Sequence, residues 1–391
     1  MKKQIVALGM LLYCMQSIGC SNNNDYEKIK EKQNENEFTM QSLVSKGEGG
    51  YYCTERGDTF IYYLDQNSME PIVLCGKAEC SHDSKECNGV VEGLTPESLQ
   101  YIDEKIYYIA NSSGKMTLNK MDSDGKNHEM ILELYDTPSG AYIDPASIIH
   151  KGYLYYILTE IDASTDTDFS KIYRVKIENG VKPELILDGE GCYFGDLVAK
   201  DEYLYIKKDM DNKEGDYSVK GELIQMSTDS LEMKTLFSYD GENYCTGFTI
   251  AEQSLLCCIR EKGIISVDLK DLSIKEYNEK KEENEDGLTI SYDGKYVYED
   301  NQLECLQDSL ENNNESAYAN RTVFVRDLNG MLVDKISLDG ADDSIFYGDS
   351  SYLFFKTDRK IGIYDKSQIG TGKSELKYIS MSKDGKASGS K

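Results

Sequence analysis

The sequence predicts an all-β protein, a seven-bladed β-propeller of four-stranded antiparallel blades, and three observations predict it. An aromatic strand of the form aliphatic-Tyr-Tyr recurs, loosely, around Tyr51, Ile106, Leu154, Leu204, Leu256, Val297 and Leu353, with successive gaps of 55, 48, 50, 52, 41 and 56 residues. That spacing is in the range of propeller blades. The composition is strand-like, with 30 Tyr against 5 Pro and no Trp. Apolar and aromatic runs alternate with Asp, Gly, Asn and Ser clusters, and helical periodicity is hard to find. Finally, the parts of a hairpin follow each aromatic strand. Leu118-Asn119-Lys120-Met121-Asp122 precedes the turn Asp124-Gly125, and Val323-Phe324-Val325-Arg326-Asp327 precedes Asn329-Gly330. Asp-Gly and Asn-Gly supply the positive φ of a tight turn.

Weaker copies of the hairpin occur at Ile172-Tyr173-Arg174-Val175 with Asn179-Gly180, at Ile264 to Asp268, and at Ile363-Tyr364-Asp365. A short apolar segment precedes the aromatic strand, as in Ser147-Ile148-Ile149 and Ser344-Ile345-Phe346, so each repeat offers four strands. A four-stranded unit with two apolar faces is not stable alone, and radial packing buries both. Two β-sandwiches would not hold one spacing along the whole chain. Six or eight blades would mean a merged or split repeat, at Val297 first, where the gap is shortest.

The repeats, with the segment Met121-Asp122-Ser123-Asp124-Gly125-Lys126-Asn127, resemble the TolB-like propeller lipoproteins. The resemblance covers most of the chain after residue 37. It implies a scaffold for binding and not a reaction, since members of that group differ widely in function.

The first 19 residues read as a secretory signal: charged Met1-Lys2-Lys3, an apolar stretch from Ile5 to Met15, and Ser17-Ile18-Gly19 before Cys20. The apolar stretch is too short to span a bilayer. The segment resembles the bacterial lipoprotein box, with Gly19 in place and with Ser17 and Ile18 departing from the usual residues. The resemblance implies a lipidated Cys20, tethered to a membrane and facing outside the cytoplasm. Cys14, after bulky Tyr13, is a poorer candidate. Residues 20–37 are rich in Asn, Glu and Lys and are expected to be a flexible tether. The propeller is expected over 38–382 and a disordered tail over 383–391.

The formal charge of −27 becomes −29 once Lys2 and Lys3 leave with the signal. Such a surface repels nucleic acid, and the membrane is expected as a partner through the lipid alone.

The most specific local feature is Cys75-x4-Cys80-x-His82-x4-Cys87. Three thiols and an imidazole within 13 positions can surround one tetrahedral structural zinc. Outside the cytoplasm disulfides compete, two of the three cysteines joining and the last pairing elsewhere, with Cys53 a candidate. Free thiols or redox chemistry are the third reading. Nine of the 11 cysteines remain after the signal is removed and Cys20 lipidated, so at least one cannot pair internally. The segment Asp122 to Asn127 begins like a calcium loop but lacks the closing Glu, and a hairpin turn explains it.

Polar insertions are read between the second and third strands at Thr159 to Ser170, Lys208 to Gly221 and Glu299 to Asn320. In a propeller these loops open on the same face as the loops between blades. Asp162, Asp166, Asp168, Glu299, Asp300, Glu304 and Asp308 are therefore expected on a loop-rich binding face with the cysteine loop. His82, His128 and His150 are the only histidines, and no nucleophile elbow, phosphate loop or zinc-protease motif is present. The sequence therefore favours a noncatalytic surface scaffold binding an envelope protein, a peptide or a glycan. The alternatives are a propeller hydrolase or lyase on extracellular polysaccharide, and a metal-dependent or redox sensor.

Overall fold

In the computed structural model of the chain, the described residues are 38–39 and 43–381, apart from 55–58, 95–97, 113, 137–140, 144–146, 163–166, 190, 211–219, 242, 261, 278–288, 301–320, 339–343, 358–359 and 374. They form seven antiparallel sheets in chain order. From inner to outer strand, blade 1 is Val44–Gly47, Gly50–Cys53, Tyr62–Asp65 and Pro71–Val73. Blade 2 is Gln100–Ile102, Lys105–Ser112, Lys115–Asp122 and Glu129–Asp136. Blade 3 pairs both Ala141–Ile143 and Ile148–His150 with Tyr153–Asp162, followed by Thr167–Lys176 and Glu184–Gly189. Blade 4 is Cys192–Lys200, Tyr203–Met210, Lys220–Ser227 and Met233–Tyr239. Blade 5 is Cys245–Ala251, Ser254–Ile259, Gly263–Asp268 and Ile274–Glu276. Blade 6 is Thr289–Tyr292, Val297–Asp300, Thr322–Arg326 and Leu332–Ser337, and blade 7 is Ser344–Gly348, Tyr352–Thr357, Lys360–Asp365 and Leu376–Ile379. The strand Phe38–Thr39 adds to the inner edge of blade 7, Phe38 opposite Gly348. The short gap before Val297 is no merged repeat; blade 5 is compact, with a three-residue outer strand.

The aliphatic-Tyr-Tyr motif is explained by strand geometry. Successive side chains point to opposite faces of a sheet, so the two tyrosines serve two different neighbours. In blade 1, Tyr51 packs with Phe354 of blade 7, and Tyr52 packs with Ile106 of blade 2. In blade 3, Leu154, Tyr156 and Leu158 face blade 2, whereas Tyr155 and Ile157 face blade 4. Seven apolar cores result, one at each junction between blades.

A ring of polar links joins the inner ends of the blades. Ser45 accepts from the Tyr101 N–H at 2.8 Å, Gln100 from the Ile149 N–H at 2.7 Å, and His150 Nε2 lies 2.8 Å from the Asp201 carbonyl. Lys200 donates to the Glu252 carbonyl at 3.3 Å, and Tyr292 donates to the Glu252 carboxylate at 2.9 Å. Lys366 pairs with Asp293, and Lys46 with Asp349 at 2.7 Å, which closes the ring between blades 7 and 1. Each of the seven junctions therefore carries at least one such link.

Two expected insertions prove shorter. The ladder of blade 3 continues to Asp162 opposite Thr167, and that of blade 4 to Met210 opposite Lys220. Some polar residues of these strands find partners across the hairpin, as Lys171 does with Glu160 at 2.6 Å and Lys208 with Glu222 at 3.4 Å.

Candidate metal centre

The outer strand of blade 1 is only Pro71–Val73, and the strap that follows, described over 74–94 and 98–99, runs beside the residues just before the third strand, Val90 opposite Phe60. Its first half packs against the core shared by blades 7 and 1, through Cys75, Cys80, Cys87 and Val90. Its second half enters the core shared by blades 1 and 2, through Val91, Leu94 and Leu99. Backbone bonds fix the path: Leu74 N–H to Ile61 O at 2.9 Å, Val91 N–H to Thr59 O at 2.7 Å and Asn111 N–H to Gly93 O at 2.7 Å.

Within the strap, Glu79 and His82 adopt left-handed φ of 65° and 52°. Such values are uncommon outside glycine, and here they turn the chain on both sides of Cys80. The consequence is convergence: the ligand atoms of Cys75, Cys80, His82 and Cys87 all lie within 4.8 Å of one another. His82 Nδ1 is 3.2 Å from Cys87 Sγ. Cys87 is buried, and the other three are half-buried. A tetrahedral zinc with Zn–S of about 2.3 Å separates its sulfurs by about 3.8 Å, so small side-chain movements close the four onto one ion. Three thiolates and an imidazole are soft to borderline donors, which suits zinc and not calcium or magnesium.

Cys75 and Cys87 are shifted in opposite directions by their surroundings. Burial pushes the Cys75 thiol up, but the N–H groups of Lys77 and Asn88 and the neighbouring thiols of Cys80 and Cys87 outweigh it, and the net shift is down. Burial pushes the Cys87 thiol up to about 12 against the Gly89 N–H, with Cys75 adding to the rise. The two thiols are thus shifted in opposite directions, and a cation bound between them would favour ionisation of both.

No disulfide forms among the described cysteines, Cys53, Cys75, Cys80 and Cys87 included. Cys53, the candidate partner, is a fully buried core residue with its Sγ directed at the Tyr62 carbonyl. The strap is also gripped from blade 2. His128 Nε2 lies 2.9 Å from Asn88 O and its Nδ1 is 3.0 Å from the Tyr108 hydroxyl. Gly125, at φ +78°, sits so close that a Cβ there would come within 2.6 Å of Leu74 O. The Asp-Gly turn is thus needed for docking as well as for its own geometry. Its acids are occupied: Lys105 holds Asp122 at 2.5 Å and Lys126 holds Asp124 at 2.6 Å, in keeping with a turn and not a calcium loop.

The expected acidic face is not assembled as read. Glu299 and Asp300 lie in the second strand of blade 6 and are fully buried, not in a loop. Arg326 donates to Glu299 at 3.0 Å, and Arg321 donates to both oxygens of Asp300 at 3.0 and 2.9 Å. Burial of a carboxylate requires such a partner, and the arginines 27 and 21 positions later are the signal the sequence offered. Asp162 and Asp168 end the long strands of blade 3 opposite Thr167 and Ile161. Asp166, Glu304 and Asp308 lie outside the described residues, as do Cys20, the signal, the tether and the tail. The cysteine cluster on blade 1 is thus not joined by Glu299 or Asp300 of blade 6.

These observations define the class: a seven-bladed β-propeller with a Cys3His loop on its first blade. No protein-family model matches the chain, and no curated protein matches it. Among solved structures, the chain is similar to the computationally designed Ika8 protein, at 13% identity and a TM-score of 0.50, covering 88% of this chain and 89% of that one. It is also similar to TolB from Acinetobacter baumannii, at 15% identity and a TM-score of 0.41, covering 82% and 75% of the two chains. A structure described in a study of two prolyl endopeptidases matches at 11% identity and a TM-score of 0.47, over 92% of this chain and 51% of that one. Likeness at this level concerns the fold alone.

Proposed function

We propose that this protein is an extracytoplasmic lipoprotein, anchored through Cys20, whose propeller is a noncatalytic scaffold for an envelope protein, peptide or glycan, with a structural zinc at Cys75, Cys80, His82 and Cys87. The observation that carries the metal assignment is the convergence of four donor atoms within 4.8 Å where the outer strand of blade 1 stops after three residues. The ion ties the strap over an edge that would otherwise be left open. A binding role over acid–base chemistry is supported by Glu299 and Asp300, each held by a buried arginine.

Metal analysis of full-length protein purified without added metal tests this reading. About one zinc per chain is expected, lost in Cys87→Ser. Less than one zinc per several chains, with reactive thiols at the three cysteines, would favour redox chemistry instead. Globomycin-sensitive processing and acyl labelling that disappears in Cys20→Ala check the anchor, and capture of envelope material by the mature protein checks the scaffold.

A further inference from the structure

Away from the cysteine strap, the turns joining inner to second strands in blades 6 and 7, together with the outer turns of blades 7 and 1, line an open cavity of about 760 Å³. Ligand sites commonly fall in this size range.

The floor rests on two buried aspartates, Asp293 in the lining and Asp349 bonded to the lining residues Lys46 and Tyr51. Asp349 accepts from the N–H groups of Ser351 and Tyr352 at 2.7 and 2.9 Å, from the Tyr51 hydroxyl at 2.8 Å and from Lys46 at 2.7 Å. Asp293 repeats the arrangement with the N–H groups of Lys295 and Tyr296 at 2.9 and 2.7 Å, the Tyr298 hydroxyl at 2.6 Å, and Lys366. Lys366 also reaches the Asp349 carbonyl at 2.5 Å, tying the two turns together. The floor is therefore preorganised, and its two lysines are already neutralised.

The walls decide the ligand chemistry. The lining contains no aliphatic side chain, so a lipid tail or an apolar peptide anchor would find nothing to bury against. With Lys46 and Lys366 committed to carboxylates, only Lys295 is left over, and it lies 4.6 Å from the Tyr296 ring centre, so no cluster of cations awaits a phosphate. What remains, besides an exposed Asp365 that accepts from the Ser367 N–H at 2.8 Å, is a pair of half-buried tyrosine rings, Tyr296 and Tyr352, among exposed serine hydroxyls and the side-chain amides of Gln66 and Asn67. Hydroxyls and amides both donate and accept, and aromatic faces take C–H surfaces. A sugar presents that combination. We propose that this cavity binds a neutral oligosaccharide, with Tyr296 and Tyr352 as stacking platforms and Ser350, Ser351 and Asn67 as polar contacts. The proposal deepens the scaffold role above by naming a ligand class and places it on the short-turn face; it does not involve the zinc.

The test is saturation-transfer NMR and calorimetry on the full chain with neutral tetraoses (cello-, xylo-, manno-, malto- and chitotetraose), and with tetragalacturonate and inorganic phosphate as charged comparators. At least one neutral tetraose is expected to bind below about 5 mM, the weak end of specific affinities. Tyr296→Ala is expected to weaken binding about tenfold, as loss of one aromatic contact should. Because Tyr352 also packs on Tyr51, the second variant is Ser351→Arg, which fills the cavity from an exposed position and should abolish binding with an unchanged melting temperature. Chelation or Cys87→Ser should leave sugar binding in place, so failure of the zinc reading and failure of this one are separable. No binding by any neutral tetraose, binding indifferent to both variants, or a salt-sensitive preference for tetragalacturonate or phosphate would each overturn the proposal.

Discussion

The buried pair Asp300–Arg321 is the point at which a single substitution should tell most about blade 6. Both side chains are fully excluded from solvent, and the guanidinium bonds both carboxylate oxygens, at 3.0 and 2.9 Å. Asp300→Asn preserves shape but removes the carboxylate charge that faces the buried Arg321 guanidinium, and breaking a buried pair in this way costs about 3–5 kcal/mol. For a domain of this size the unfolding entropy is about 0.7 kcal/mol/K, so the melting temperature should fall by about 4–7 °C. Replacing both partners, Asp300→Leu with Arg321→Met, should recover most of the loss, because an apolar pair no longer has to be desolvated against charge. Urea denaturation followed by circular dichroism gives the two numbers. A loss below about 1 kcal/mol in Asp300→Asn, or a double variant no better than the single one, would refute the view that the pair is dry and mutually dependent. The pair also brackets residues 301–320, so limited proteolysis there should accelerate in the single variant and not in the double.

The remaining tests address the strap and the ring closure. Gly125→Ala should cost about 1–3 kcal/mol, from the left-handed φ and the approach to Leu74 O, measured by denaturant midpoint. Cys80→Ser should lower bound zinc and expose the segment 74–99 to protease, read by mass spectrometry of the first cleavage sites. Tyr51→Phe removes the hydroxyl bond to Asp349 and should destabilise by about 1–2 kcal/mol at neutral pH. Asp349 itself sets a pH dependence. Burial pushes its pKa up, but Lys46, the Ser351 and Tyr352 N–H groups and the Tyr51 hydroxyl outweigh burial and hold it below the usual range. Its contribution is therefore complete above the unfolded value of about 3.9 and is lost as pH falls through the folded value. The stability gap between wild type and Asp349→Asn should narrow below about pH 4 in acid titrations; a constant gap would contradict it.

Blade number and strand order were legible because the aromatic motif is enforced by packing at both faces of every blade. The cysteine cluster was legible because its four donors are close in sequence, and their convergence needed only local turns at Glu79 and His82. What misled was polarity. Asp162 and Glu299 look like loop residues when only composition is considered, yet cross-strand partners such as Arg326 allow a carboxylate inside a hairpin. The cavity between blades 6, 7 and 1 was not legible at all. Its members come from turns far apart in the chain, as with Gln66 and Tyr352, 286 positions apart, and the turns at Asp293 and Asp349 each read alone as ordinary Asp capping of two following N–H groups. Only ring closure puts them in one wall.

The paired tyrosines also determine how the molecule should come apart. A solenoid frays from its ends, because a terminal repeat has one neighbour. Here Tyr51 leans on blade 7 and Tyr52 on blade 2, so the first blade is no more terminal than the fourth, and the residues that precede it are paired to the seventh. Opening any blade strips apolar surface from two others at once. Hydrogen exchange of the second strands should accordingly be slow and nearly uniform around the circle, with one shared opening free energy in place of a gradient from the chain ends.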